Sequence, residues 1–207
     1  MTKLTIRANV VDLGHDTPKS DDKFLVDTNV WYWMAYPNAS LNPVAPQAYQ
    51  VEKYPTYLSS AIDKQSAIYW SSLTLAELAH NIESSERQVY SATAGREIKP
   101  KEYRHGYRDQ RIKTNNIIRD SWNVVKQIGS CAETVLDEAA TDDGMATFLN
   151  AQIDGYDLFI LTAMRSKNLS SVITDDGDYA TVRGITVFTA NQSVIEQARA
   201  AGKLLQR

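Results

Sequence analysis

The sequence predicts an α/β fold built on a mainly parallel sheet. Short, largely apolar runs at residues 24–27 (FLVD), 67–71 (AIYWS), 171–174 (SVIT) and 185–188 (ITVF) suit strands covered on both faces. Segments with helical spacing alternate with these runs, as βαβ units require. The chain has 207 residues, 43% of them hydrophobic, which is enough for one sizeable core.

Taken in order, residues 1–22 read as a polar, weakly ordered lead-in to a single domain spanning 23–207. Residues 24–27 read as the central strand and 30–36 as a helical turn or two. Pro37, Pro43, Pro46 and Pro55 then interrupt any long element. Residues 57–64 suit a helix, 67–71 a second strand and 75–86 a helix. One or two long charged helices fit 97–127, within a basic helical section around 83–132, and a short strand fits 134–136. Residues 157–167 (DLFILTAMRSK) read as a mostly buried helix between that strand and SVIT. After ITVF, residues 191–205 close the chain as a helix with Asn191 as its cap.

Composition narrows the function classes. No apolar run is long enough to span a bilayer, and MTKLTIRANVVDLGHD carries no long apolar core before a small-residue cleavage site. Cys131 is the single cysteine, so neither an intrachain disulfide nor a cysteine-based zinc site is expected. These features point to the cytoplasm. The net charge of −3 conceals an asymmetry: residues 96–119 hold eight Lys or Arg against three acids, a net +5 that leaves −8 elsewhere.

Ligands of parallel sheets bind beyond the carboxyl ends of the strands. Asp27 follows the first strand there, and Glu77 lies just after the second. Asp175, Asp176 and Asp178 follow SVIT, while Asp157 opens a helix nearby. Each acid also has a plain reading. Asp27 can cap the next helix, Thr74–Glu77 (TLAE) fits a capping box, Asp154–Asp157 (DGYD) can cap its own helix, and DDGD can be a turn. Capping, however, does not require all these acids at one edge of one sheet. Crowded carboxylates repel, and must protonate or hold a cation. Oxygen donors without His or Cys favour Mg²⁺ or Mn²⁺, and two such ions about 3.5–4 Å apart suit phosphodiester hydrolysis.

LVDTN, TLAEL, DLFILTAM and ITDDGDY followed by GITVF resemble, in this order, the motifs of PIN-domain nucleases, and among them the VapC-type toxins of toxin–antitoxin pairs. The resemblance runs from about residue 23 to 191. It implies a three-layer fold with a central sheet of four to five strands flanked by helices. It implies metal-dependent cleavage of RNA that leaves a 5′-phosphate. Asp27, Glu77, Asp157 and Asp176 match the metal-binding acids, Asp178 an accessory acid and Tyr179 the aromatic position. Thr28 and Asn29 match small polar residues that support the first acid, and Asp175 falls at a variable position. The resemblance implies an RNA substrate and leaves room for an antitoxin and a homodimer. The chain is longer than simple toxins of this type, in its lead-in, its proline-containing link and its basic section.

That basic section, KPKEYRHGYRDQRIK, interleaves Lys101, Arg104, Arg108 and Arg111 with Tyr103 and Tyr107. Such residues can track phosphates and stack on bases, or simply form a solvated face. Two other classes stand beside the nuclease. Glu77-x-x-His80 and Glu102-x-x-His105 match half of a di-iron helical bundle, which would need no strands. A PIN-like fold can also serve as a non-catalytic protein- or RNA-binding module. Trp31, Trp33 and Tyr36 suit either a contact surface or core packing.

Overall fold

A computed structural model describes residues 3–41, 46–133 and 135–207. Among them, seven strands form one sheet: β1 (Asn9–Asp12), β2 (Lys23–Val26), β3 (Ala67–Ser71), β4 (Ser130–Ala132), β5 (Ser171–Ile173), β6 (Thr186–Thr189) and β7 (Leu204–Leu205). Their spatial order is β4-β3-β2-β5-β6-β1-β7, and every pairing is parallel.

Successive strand residues point to opposite faces. Val11, Phe24, Val26, Ile173 and Phe188 enter one apolar cluster with Trp31, Tyr54, Leu58, Leu78 and Ile82. Val10, Leu25, Val172 and Val187 enter the other with Ile160, Leu161, Met164, Val194 and Ala198. Helices α1 (Thr28–Ala35), α2 (Ala48–Asp63), α3 (Thr74–Ala94) and α5 (Arg108–Ile128) thus cover one face; α4 (Pro100–Gly106) links α3 to α5. Helices α7 (Gly155–Ser166) and α8 (Gln192–Ala200) cover the other face, with α6 (Glu138–Phe148) packed on α7. The apolar runs are short because β1 to β6 need only three to five residues each to cross this core. No described helix is long and apolar enough to cross a membrane.

The sheet is wider than the four to five strands expected. Residues 9–12, read as part of the lead-in, form β1 against β6, from Asn9↔Thr186 to Asp12↔Thr189. Only Val10 and Val11 are apolar in that strand, too few to stand out as a run. The closing helix ends at Ala200 rather than 205. Gly202, at φ +66°, reverses the chain so that Leu204 and Leu205 pair with Val10 and Val11. The strand sought at 134–136 lies at Ser130–Ala132; Thr134 and Pro43 fall outside the described residues. Pro55 sits inside α2 instead of interrupting it, where burial of Tyr54, Tyr57, Leu58 and Ala61 outweighs the lost backbone hydrogen bond. An all-parallel sheet replaces the di-iron bundle, and Glu102 is bonded by Arg96 and Tyr107.

The basic section has a structural task. Arg104 Nε donates to Glu83 Oε1 at 2.6 Å, and Arg111 donates to Glu83 Oε2. Burial alone would raise the Glu83 carboxyl, but the two guanidinium groups outweigh it and hold it below the usual range. Neighbouring Glu86 accepts from Tyr36 Oη at 2.7 Å and lies 3.4 Å from Lys113 Nζ. Glu83 is buried while its arginines are partly exposed, so they can turn to water when it is removed. Glu83→Ala is therefore expected to cost about 1–3 kcal/mol in urea unfolding, short of the full penalty for breaking a buried pair.

Candidate functional site

The sheet order reverses between β2 and β5. The chain runs outward from β2 to β3 and β4, then returns to β5 on the other side of β2. The carboxyl ends of these two strands form the crevice where such sheets hold ligands. Asp27 follows one, and Thr174, Asp175 and Asp176 follow the other.

Asp27 is 4% exposed and is set by the sheet itself, since its N–H donates to Ile173 O at 3.0 Å. Its Oδ1 accepts from Thr28 N–H at 2.7 Å and its Oδ2 from the Thr174 hydroxyl at 2.6 Å. Thr174 Oγ1 in turn accepts from Asp176 N–H at 2.9 Å. One buried threonine therefore ties the acids of two strand ends together. Burial pushes the Asp27 carboxyl up to about 7, and the charges of Glu77 and Asp176 act in the same direction.

Asp157 lies in the first turn of α7 but does not cap it. Asp154 does, accepting from the N–H groups of Tyr156 at 3.2 Å and Asp157 at 3.4 Å. The Asp157 carboxyl instead accepts from Tyr179 Oη at 2.8 Å, and Tyr179 is fully buried. Burial pushes Asp157 up to about 9, with the Asp27 charge adding to it. Asp27 and Asp157 thus titrate as a coupled pair, both raised by burial, with each charge disfavouring the other.

Glu77 sits in the first turn of α3, yet the TLAE capping box does not form. Leu73 occupies the cap position without a side-chain bond, and Thr74 lies within the helix. Burial raises the Glu77 carboxyl; the Thr28 hydroxyl beside it opposes this, and the charges of Asp154 and Asp176 reinforce it. The Thr28 approach falls short of a hydrogen bond: Thr28 Oγ1, Asn29 Oδ1 and Glu77 Oε2 are all buried without a partner among the described residues. Unpartnered buried oxygens are costly, and three in one crevice make it receptive to a cation or donor.

Asp176 and Asp178 lie in the turn after β5. Asp176 Oδ1 accepts from Asp178 N–H at 2.8 Å, so the plain turn reading holds in part. Burial raises both carboxyls, and the charge of Asp154 adds to each. Asp175 is held elsewhere by α2, through Tyr49 Oη at 3.0 Å, Gln50 Nε2 at 2.5 Å and Tyr54 Oη at 2.6 Å. Asp154, read from the sequence only as a cap, acts by its charge on Glu77, Asp157, Asp176 and Asp178. Its signal was present in DGYD, where two acids stand one helical turn apart. Thr174 and the Tyr179 hydroxyl are further supports that residue patterns did not reveal.

The arrangement is electrostatic rather than closed. Among the described residues, no three His, Cys, Asp or Glu side chains meet as a ready ligand shell. The acids are near enough to raise one another's carboxyls, and each proton retained is a place a cation can take. Of the four basic residues expected to contact RNA, Arg104 and Arg111 are engaged by Glu83, whereas Lys101 and Arg108 are exposed.

A scan against protein-family models finds no match to this chain, and a search of curated proteins finds none. Among solved structures, the chain is similar to the crystal structure of VapBC2 from Rickettsia felis bound to a DNA fragment from their promoter. The two share 12% sequence identity over 79% of this chain and 96% of that one, with a TM-score of 0.46.

Proposed function

We propose that the chain is a metal-dependent endoribonuclease of the PIN type. The observation that carries this is the Thr174 bridge between Asp27 and Asp176 at the β2/β5 switch point, beside further acids whose burial and mutual charge raise their carboxyls. The motif resemblance supports the RNA substrate, and it extends the proposal to a toxin partnered by a small antitoxin. The donors are carboxylates, and the crevice keeps three buried oxygens without partners, which fits Mg²⁺ or Mn²⁺. Asp27, Glu77, Asp157 and Asp176 would hold the ions, with Asp178 and Asp154 at the rim. Bound divalent ions would neutralise the phosphate and lower the pKa of the attacking water.

The chain's own residues supply orientation. Thr174 and the Thr28 N–H fix both oxygens of Asp27, and Tyr179 fixes Asp157. The acid cluster repels a bare phosphodiester, so substrate approach depends on the cation. The test is cleavage of a mixed pool of structured and unstructured RNA with Mn²⁺, Mg²⁺ or EDTA. Cutting with either metal, abolished by EDTA and leaving 5′-phosphates, is the expected result. Cutting that persists in EDTA contradicts it, and a folded protein that binds RNA without cutting would indicate the non-catalytic module.

Asp154 gives a separate prediction. Asp154→Asn keeps the helix cap, because Asn caps as well as Asp, but removes the charge felt by four neighbours. Mn²⁺ affinity measured by calorimetry is expected to fall roughly tenfold with little change in melting temperature. Unchanged affinity would leave Asp154 a cap alone.

A further inference from the structure

A groove of about 520 Å³ runs between α1, α2 and α3, lined in part by Asn29, Trp33, Gln50, His80, Asn81 and Gln88. Its lining neighbours two of the acids along the chain: Asn29 lies two residues after Asp27, and His80 lies one helical turn after Glu77 and acts on its carboxyl. Among the described residues no Asp, Glu, Lys or Arg lines it. A phosphate in this groove would find no Lys or Arg and would lie near the acids. A neutral, flat group with donors and acceptors on its edge is the chemistry that fits.

Two features narrow that group to a nucleobase. Trp33 is half-buried, with its indole backed by the Tyr54 ring at 5.2 Å, so it is a fixed surface at the groove wall. Aromatic side chains of this kind stack on unpaired bases. Two amides of the lining are already committed: Gln50 to Asp175 and the Gln47 N–H, and Gln88 to Ser84. Asn29 Oδ1 is buried without a partner, and the Asn81 side chain makes no hydrogen bond among the described residues. An uncommitted amide offers a donor and an acceptor side by side, the pattern that reads a base edge.

We infer that this groove holds an unpaired base of the RNA strand next to the bond presented to the acids, with Trp33 as the stacking surface and Asn81 as a specificity-determining residue. This deepens the nuclease reading by assigning a part of the substrate to a place. It also gives the basic section no role in base selection.

The test is fluorescence anisotropy with labelled single-stranded hexaribonucleotides of A, C or U and an abasic ribose-phosphate hexamer. The full chain is used in EDTA at low salt, with RNA cleavage in Mn²⁺ assayed in parallel. At least one base hexamer is expected to bind about tenfold more tightly than the abasic one. Trp33→Ala is expected to weaken all base hexamers by a similar factor, and Asn81→Ala to narrow the differences between bases about fivefold. Circular dichroism verifies folding; should Trp33→Ala unfold, Asn81→Ala alone carries the test, since its side chain makes no hydrogen bond among the described residues. Equal binding of base and abasic hexamers, or base preferences untouched by Asn81→Ala, overturns the inference even if cleavage is intact. Base-selective binding lost in Asn81→Ala, without cleavage, upholds the groove and removes the nuclease reading.

Discussion

Asp27→Asn is expected to abolish metal-dependent RNA cleavage and to raise the thermal stability of the metal-free protein. The two effects share one cause. Asp27 is 4% exposed, and burial holds its carboxyl up to about 7, so the charge that would bind a cation is costly to the fold. Asparagine keeps the size and keeps an acceptor for the Thr28 N–H, while the Thr174 hydroxyl can switch from donating to accepting. What disappears is the anion at the switch point. Cleavage should fall by about 10³-fold or more, as when other groups that stabilise reacting charge directly are removed. Melting temperature at pH 8 in EDTA should rise by roughly 3–8 °C, the equivalent of about 1–3 kcal/mol in a chain of this size. A variant that cuts as well as the wild type, or that melts lower while folded, would show that Asp27 is a structural cap.

The second large effect is a stability that falls with pH and is restored by metal. Asp27 and Asp157 retain protons in the folded state up to about 7 and about 9, whereas an unfolded Asp loses its proton near 3.8. Their folded values are raised, so the stability they contribute is fully present below about 4. It is lost as pH rises through the folded values. Glu77, Asp176 and Asp178 are shifted in the same direction. In EDTA, melting temperature is expected to drop by roughly 5–10 °C between pH 5 and pH 9. Mn²⁺ competes with these protons, so its stabilisation should be small at pH 5 and large at pH 9. Differential scanning fluorimetry across this grid checks both. A flat or rising curve in EDTA, or a metal effect independent of pH, would mean that the acids do not share one site.

Much of this was legible in the sequence, for definite reasons. FLV, AIYW, SVI and TVF became strands because runs covered on both faces leave a continuous apolar signature. Asn191 caps α8 through the N–H groups of Ser193 and Val194, as a short polar side chain before a helix should. Edge elements left weaker traces. β1 carries two apolar residues and β7 spans two, and both depend on pairing with distant partners rather than on local pattern. Pro55 marks a break in local propensity that the core overrides. At the site, Asp27 and Asp176 stand just beyond β2 and β5, where the rule about strand ends looks first, while Glu77 and Asp157 stand in the first turns of α3 and α7. The contributions of Thr174, Tyr179 and Asp154 were not legible, because a hydroxyl's partner or a charge's reach depends on three-dimensional approach. The basic section is a similar case: its charge was visible, but Glu83 and Glu86 on α3, which engage Arg104, Arg111 and Lys113, were not.

The most direct measurement is anomalous diffraction from crystals of the full chain soaked in Mn²⁺ at pH 8, with Asp27→Asn crystals treated alike. A wild-type peak bonded at about 2.1 Å to Asp27 and at least one of Glu77, Asp157 and Asp176, absent from the variant, is the expected result. No peak in the β2/β5 crevice, or one unchanged by Asp27→Asn, would contradict a metal centre built on these acids.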